Sequence, residues 1–142
     1  MAIREKAEAT MKNRAIEIHD SKLDSISIRG REVVLHFPKV YIHESTGTPG
    51  VDAGSGWVQE ALLRISDAAV KRSFSKFPAD LLDGYIKLGE SVSKNEIPVP
   101  LSHIGTVELR LESWNDEAVL ISGGSAQLEL VGEPKYIEEF RP

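Results

Sequence analysis

The chain contains no cysteine among its 142 residues, which excludes disulfide bonds, thiol catalysis and zinc sites that depend on thiolates. Long apolar stretches are also missing, since no segment approaches the roughly 18 consecutive apolar residues of a membrane-spanning helix. Residues 1–14 carry basic side chains but lack the apolar run of a secretory signal. We therefore expect a cytoplasmic protein with no membrane partner.

Clusters of basic residues are absent as well. The 17 lysines and arginines are outnumbered by 22 aspartates and glutamates, which gives a formal net charge of -5. Nucleic-acid binding depends on clustered lysine and arginine, so this composition argues against a nucleic-acid partner. What remains is an ordinary globular balance of 41% hydrophobic and 27% charged residues, and a domain of this length buries a core without a metal or another cofactor.

The chain divides into a short N-terminal arm and one domain. Within residues 1–14, Ile3, Ala7 and Met11 recur every four positions, which predicts a short helix or an arm that orders only on packing. Over residues 15–142 the dominant hydrophobic period is two, as in half-buried strands. The sequence thus predicts a single mainly β domain, an antiparallel β-sandwich or a partly closed barrel of about eight or nine strands.

Glycines mark two of the predicted connections. Gly30 predicts a hairpin between residues 23–29 and residues 32–37. Gly123-Gly124 predicts a second tight hairpin, because glycine takes positive φ angles at no steric cost. With that hairpin, residues 105–131 become a three-strand meander.

Residues 57–72 are compatible with two structures. Their apolar positions fit a helix of period 3.6, and they also fit a strand in which Gln59 is the polar exception on the inward face. We favour the strand because β segments flank it on both sides. Among the prolines, Pro38 predicts a bend in its strand, and Pro98 with Pro100 predicts an edge segment, since proline cannot donate to a ladder.

The first candidate site is His19-Asp20-Ser21, which closes a short strand. Aspartate and serine at a strand end commonly bond their own backbone in a turn, and this structural role is the simpler interpretation. Neighbouring residues of an extended chain point to opposite faces, so these three side chains do not form a catalytic triad with one another. His19 or Asp20 could still bind a ligand together with groups from distant strands.

Three further histidines, His36, His43 and His103, are candidates for metal binding or acid-base chemistry. His36 and His43 lie seven positions apart, so on a regular strand they face opposite sides. The helical His-Glu-x-x-His zinc pattern is absent from the sequence. Hydrogen-bonded structural histidines are the favoured interpretation, and no metal site is predicted.

The loop at residues 45–56, with sequence STGTPGVDAGSG, is glycine-rich and long for a compact domain. It lacks the Gly-Lys-Ser/Thr ending of a phosphate-binding P-loop. It is either a flexible hairpin connection or a ligand loop in which Asp52 meets a polar ligand while Tyr41 and Trp57 supply a stacking surface.

The runs IEIHDSKLDSI, GSGWVQEALLRI and LVGEPKYIEEF resemble segments of small uncharacterised bacterial all-β proteins that open with a His-Asp-Ser turn. The resemblance spans most of the chain. It implies a bacterial, intracellular, mainly β domain, and it carries over no activity, cofactor or site residue.

No complete catalytic constellation is visible in the sequence, so we predict a non-catalytic soluble domain that binds a small molecule or a protein. One alternative is a small hydrolase or metal-dependent enzyme with a site near His19, Asp20 and the 45–56 loop. Another is a structural homo-oligomer that packs through its proline-rich edge or its C-terminal aromatic residues. The candidate ligand-binding residues are His19, Asp20, Ser21, Tyr41, His43, Asp52 and Trp57.

Overall fold

The computed structural model describes residues 12–142, which form ten β-strands and no helix. The predicted mainly β, antiparallel structure is confirmed. The predicted N-terminal helix rests on residues 1–11, which lie outside the described residues, and the first strand begins at Asn13 rather than at residue 15. Across residues 12–142 there is no helix long and apolar enough to cross a membrane.

The strands in chain order are β1 Asn13–Leu23, β2 Ser25–Arg29, β3 Glu32–Ser45, β4 Gly54–Ser66, β5 Ala69–Arg72, β6 Ala79–Leu88, β7 Ser91–Lys94, β8 Glu96–Val99, β9 Ser102–Ser113 and β10 Ala118–Phe140.

All ten strands belong to one sheet in the order β2-β3-β4-β10-β9-β6-β1-β8, with β5 paired to β10 and β7 paired to β6. A further pairing joins β1 to β3, so the path β3-β4-β10-β9-β6-β1 returns to β3. Two residue pairs, Lys22 with Asp80 and Leu23 with Ala79, link β1 to β6. The sheet therefore curls back on itself around an enclosed face.

The enclosed face is mainly aliphatic. Leu35, Leu63, Ile86 and Leu109 come from four different strands and are fully buried. Burying one such side chain stabilises the fold by roughly 1.5–3 kcal/mol relative to leaving it in water. Because successive side chains of a strand point to opposite faces, this core produces the period of two in the sequence.

Residues 57–72 are strands, as favoured, and belong to β4 and β5. On β4, Ala61, Leu63 and Ile65 are fully buried, and Gln59 shares their face at 8% exposure. The Gln59 amide nitrogen donates to the Gly132 carbonyl oxygen at 2.7 Å. The main chain thus compensates part of the cost of placing a polar side chain on the inner face.

The predicted hairpin at Gly123-Gly124 is wrong. β10 runs without reversal from Ala118 to Phe140, and only its register against β9 shifts near these glycines. A side chain at Gly123 would overlap Ile65 and lie 2.9 Å from the Ser66 carbonyl oxygen. The glycine therefore permits a close approach between strands, where the prediction assumed a turn.

Three other local predictions are confirmed. Gly30 has a φ of 61° in the turn that joins β2 to β3. The register between β3 and β4 shifts between Phe37 and Val40, where Pro38 lies. Among the described residues, β8 with Pro98 pairs only with β1 and forms an edge of the sheet.

Candidate functional site

His19-Asp20-Ser21 lies in a β-bulge, and β1 continues past it instead of ending there as expected. Glu17 of β1 pairs with Tyr41 of β3, and the next pair is Lys22 with Lys39. Four residues of β1 therefore lie opposite a single residue of β3, so β1 contains three extra residues at this point. Bulges redirect side chains and are common next to functional sites. The irregularity of β1 is thus the local cause of the site described below.

Ser21 stabilises this bulge from the inside. Its hydroxyl donates to the Glu17 carbonyl oxygen at 2.7 Å and accepts from the Tyr41 amide at 3.2 Å. The residue is buried. The hydroxyl therefore satisfies two backbone groups where pairing between β1 and β3 is interrupted, which is the backbone-bonding role expected of this serine.

His19 and Asp20 are exposed and line a surface cleft of about 400 Å³ together with Trp114. Trp114 lies in the turn between β9 and β10, and its ring meets the His19 imidazole edge-on, with ring centroids 5.8 Å apart. The tryptophan is 62% exposed. We call this site the Trp114 cleft; its walls are His19, Asp20, Ser21, Lys22, Lys39, Asp80 and Trp114.

The topology brings these walls together. His19 belongs to β1, Asp80 to β6, and Trp114 follows β9. Because β6 lies between β9 and β1 in the sheet, side chains that are far apart in sequence become neighbours at one end of three adjacent strands.

A second cleft, of about 320 Å³, adjoins the first, since Asp80 and Trp114 belong to both. The indole of Trp114 therefore stands between two depressions. The charged side chains around them are Lys22, Lys39 and Lys76 and, with opposite sign, Asp20, Asp80 and Glu117. Apart from His19, the formal charges of the two clefts cancel.

The His19 ring has a defined orientation. Its Nδ1 lies 2.8 Å from the Leu82 carbonyl oxygen, and because a carbonyl only accepts, Nδ1 carries the proton. This hydrogen bond is the main cause of a raised pKa of His19; burial opposes it, and the carboxylates of Asp20, Glu17 and Asp83 add to it. Nε2 is left without a partner among the described residues and is available to a ligand, as acceptor when neutral and as donor when protonated.

Tyr41 and His43, two of the predicted residues, lie side by side on the outer face of β3 and are nevertheless buried, at 8% exposure each. Their ring centroids are 4.9 Å apart, and the Phe140 ring packs against His43 at 4.8 Å. The Tyr41 hydroxyl donates to Glu138 Oε1 at 2.8 Å, and His43 Nε2 lies 2.9 Å from Glu17 Oε2. We call these five residues the outer-face cluster.

The polar groups of the outer-face cluster bond to one another and are packed between rings. Burial, followed by the hydrogen bond to Glu138, raises the pKa of Tyr41 well above its usual range, so the phenol stays protonated as a donor. His43 and Glu17 have the composition of a general base, but His43 Nδ1 is enclosed and has no hydrogen-bond partner among the described residues. The pair packs the end of β10 against β3 and β1, and it also lines a small surface cleft of about 190 Å³ together with Asn95 and Glu96.

Two glycines of the 45–56 segment permit close packing, one of them against the outer-face cluster. A side chain at Gly56 would overlap the Tyr41 hydroxyl and lie 2.5 Å from Tyr41 Cζ. At Gly54 it would overlap the Glu44 carbonyl oxygen. The glycine content of the segment is thus explained in part by close packing, a role that the ligand-loop hypothesis did not include.

The predicted ligand roles of Asp52 and Trp57 are not assembled with the other residues. Asp52 Oδ2 accepts from the Thr48 amide at 2.6 Å, so its carboxylate closes the loop on itself. Trp57 is paired with Ile42 on the inner face, whereas Tyr41 points outward, so the expected joint stacking surface does not form. Trp57 instead lines a separate cleft of about 770 Å³ with Tyr136, its ring 5.3 Å from the tyrosine ring.

His36, another of the histidines considered for metal binding, forms hydrogen bonds within the fold. His36 lies between two carboxylates, with Nδ1 3.3 Å from Asp24 Oδ2 and Nε2 2.6 Å from Glu60 Oε2. The hydrogen bond to Glu60 is the main cause of a raised pKa of His36; burial opposes it, and the hydrogen bond to Asp24 adds to it. Within residues 12–142, no three histidine, aspartate or glutamate side chains are grouped so that they could hold a metal ion.

The structure thus separates the predicted site residues into four places. His19, Asp20 and Ser21 line the Trp114 cleft, and Tyr41 and His43 lie in the outer-face cluster, to which Ser21 is linked through the Tyr41 amide. Asp52 lies in its own loop and Trp57 in the separate cleft with Tyr136. The sequence interpretation did not place Trp114, Asp80, Glu17 or Glu138 among the candidate residues; it assigned Trp114 to the core or its rim, and Asp80 and Glu138 to turns or the exposed tail. For Trp114 a signal existed: a large apolar residue directly before the polar turn Asn115-Asp116 has no strand face to bury it.

Comparison with known proteins gives no match: no family model, no curated protein and no solved structure is similar to the chain at a significant level. The resemblance to small bacterial all-β proteins stays a prediction, and functional inference here depends on the geometry of the chain itself.

Proposed function

We propose that this protein is a non-catalytic binding domain that holds a neutral carbohydrate in the Trp114 cleft, with a sugar ring stacked on the indole. The observation that carries the proposal is the exposure of Trp114, 62% of its surface, between two adjoining clefts. An exposed indole offers a flat apolar face with a polar N–H at its edge, which suits a sugar ring that stacks on the face and forms hydrogen bonds around it.

The polar walls favour a polyhydroxylated ligand. Asp20 and Asp80 supply acceptors for hydroxyl groups, and the Asn115 side chain supplies both donors and an acceptor. The unpartnered Nε2 of His19 adds a group whose orientation is already set by the Leu82 carbonyl. Polar groups fixed in advance reduce the ordering cost of binding.

The charge balance favours a neutral ligand over an ionic one. Three lysines and three carboxylates surround the two clefts, and Lys22 Nζ lies 3.9 Å from Asp80 Oδ1. A strongly anionic or cationic ligand would meet attraction and repulsion in equal measure, whereas hydroxyl groups can bond with both signs.

We further infer that the fold is the partly closed barrel of the two predicted architectures. The path of paired strands returns to β3 through β1, which supports a barrel. Closure is only partial because β1 and β6 pair over just two residues each. The Trp114 cleft lies next to this short pairing, because Lys22 and Asp80 belong to both.

The proposal is tested with an array of immobilised neutral and acidic oligosaccharides probed with the wild-type chain. We expect binding to neutral glycans, and Trp114→Ala should weaken it at least about tenfold, as for an aromatic hot spot. Tyr136→Ala is the matched control, since Tyr136 is also an exposed aromatic residue, at 53%, but lies in the separate cleft with Trp57.

Both variants change exposed side chains, so their melting temperatures should stay close to that of the wild type. Absence of binding to every glycan, or equal binding by the Trp114→Ala variant, would contradict the proposed function.

A further inference from the structure

β2 is the terminal strand of the sheet path and, within the described residues, pairs on one side only, with β3. An edge strand offers unpaired N–H and C=O groups to another chain, and proteins commonly protect such edges with proline or charge. Pro98 protects β8, and Pro134 lies where β10 pairs with β4 alone. β2 contains no proline, and its single charged residue is Arg29.

The alternation along β2 decides which backbone groups face the open edge. Arg29 and Glu32 form the pair that closes the two-residue turn to β3. In such a hairpin the closing residue, and every second residue before it, exchange backbone hydrogen bonds with the neighbouring strand. The N–H and C=O groups of Ile26 and Ile28 therefore point away from β3 and toward the open edge.

The side chains of Ile26 and Ile28 extend the apolar inner face beyond its last covered strand. Ile26 lies opposite Leu35 and Ile28 opposite Val33, and both partners are buried in the core. Ile26 is half-buried, but Ile28 is 65% exposed. An added strand at this edge would cover Ile28 and satisfy the backbone groups beside it.

The two ends of β2 carry opposite charges on the outer face. Asp24 precedes the strand and contacts His36, whose side chain lies on the outer face opposite Ser25. Arg29 ends the strand four positions after Ser25, and because side chains alternate between the two faces, the side chain of Arg29 lies on the same face as that of Ser25. Within residues 12–142, Arg29 makes no ion pair with another residue.

These features are self-complementary. When two β2 strands are placed antiparallel about a two-fold axis at Ser27, Ile26 of each copy lies opposite Ile28 of the other. The same register brings Arg29 of each copy next to Asp24 of the other, so that attraction occurs twice. Ile26 and Ile28 are then hydrogen-bonded pairs, which matches the direction of their backbone groups.

We propose that β2 pairs with β2 of a second copy of this chain and continues the sheet across a two-fold axis. A second copy fits this edge because it supplies both the isoleucine pair and the opposite charge at each end in the required antiparallel order. An unrelated strand would match both features only by chance. This surface involves no residue of the Trp114 cleft and is independent of the proposed carbohydrate binding.

The first test is analytical ultracentrifugation of the full chain over a wide concentration range. The wild type should show a monomer–dimer equilibrium, and Ile28→Pro should raise the dissociation constant at least about tenfold, because proline removes an edge donor that β3 does not use. Val92→Pro is the matched control: Val92 is 48% exposed on β7, whose closing pair Leu88 and Ser91 likewise turns its backbone outward. This control should dimerise like the wild type.

The second test swaps charges and does not depend on proline. Arg29→Glu alone and Asp24→Lys alone each place like charges together twice, so each variant should be mainly monomeric. Mixed together, the two variants restore both attractive pairs and should form a heterodimer. Circular dichroism confirms that each variant is folded.

A chain that stays monomeric at every concentration overturns the proposal. So does an Ile28→Pro variant that associates as strongly as the wild type, or a charge-swapped mixture that stays monomeric while the wild type dimerises.

Discussion

Replacing Gly56 by alanine tests the packing that holds the outer-face cluster together. The new methyl group would overlap the Tyr41 hydroxyl and lie 2.5 Å from Tyr41 Cζ, so the tyrosine ring must move. That movement breaks its hydrogen bond to Glu138 and disturbs the ring contact with His43. Overpacking costs typically 1–3 kcal/mol, and losing a buried hydrogen bond to a charged group costs roughly 1.5–3 kcal/mol.

These magnitudes predict that Gly56→Ala lowers the free energy of unfolding by about 2–4 kcal/mol, or the melting temperature by roughly 6–12 °C in a domain of this size. Urea unfolding followed by circular dichroism measures the change. In a Tyr41→Ala background the obstacle is gone, so the same substitution should cost less than about 1 kcal/mol, and the coupling between the two sites should exceed about 1.5 kcal/mol.

Gly124→Ala is the control for this cycle. A methyl group there would lie 3.4 Å from the Asp67 carboxylate, an ordinary contact, so the variant should be about as stable as the wild type or slightly more stable, since alanine restricts the unfolded chain. An equal loss of unfolding free energy on Gly56→Ala with and without the Tyr41 ring, or an equal loss on Gly124→Ala, would refute the proposed overlap between Gly56 and Tyr41.

Three further perturbations test other parts of the fold. Because the pKa of His36 is raised in the folded state, its contact with two carboxylates stabilises the protein fully below the unfolded pKa of about 6.5, and this contribution is lost as pH rises through the folded pKa. The urea midpoint of the wild type should therefore exceed that of His36→Gln at mildly acidic pH, and the gap should narrow at alkaline pH; a gap that widens would contradict this. Ser21→Ala leaves the Tyr41 amide in the bulge without its acceptor, which should cost about 1–3 kcal/mol by the same assay, whereas Ser27→Ala on the exposed edge should cost little. Leu63→Ala removes a fully buried side chain of β4 and should cost about 2–5 kcal/mol; an unchanged midpoint would show that the core does not lie where the sheet places it.

Local features of the fold could be predicted from the sequence because they depend on neighbouring residues. The apolar positions of residues 57–72 fit a helix and a strand equally, and the flanking β segments favoured the strand that β4 forms. The turn at Gly30 follows from the need for a positive φ. The same reasoning gave a wrong prediction at Gly123-Gly124, where β10 continues without a turn. A glycine in a hairpin turn and a glycine that lies close to the end of a neighbouring strand look alike in sequence, and only the contact with Ile65 of β4 separates them.

The candidate site depends on contacts between distant parts of the chain, which periodicity does not encode. Tyr41 meets Glu138 across 97 positions, and His19 meets Trp114 only because β6 lies between β9 and β1 in the sheet. The bulge in β1 was equally invisible, because three inserted residues preserve the appearance of a strand followed by a turn. The residue types were recognised, but not their grouping.

The most direct test of carbohydrate binding at Trp114 follows the two tryptophan indoles by nuclear magnetic resonance while a neutral oligosaccharide is added. The chain has two tryptophans, so their indole N–H signals are assigned with Trp57→Phe and Trp114→Phe, and Trp57 serves as an internal control because its N–H is already bound to Ser55 at 2.8 Å. If the carbohydrate binds at Trp114, the Trp114 signal shifts in a saturable way while the Trp57 signal stays in place. A saturable shift of Trp57 alone, or no shift of either signal with any neutral sugar, would contradict binding at Trp114.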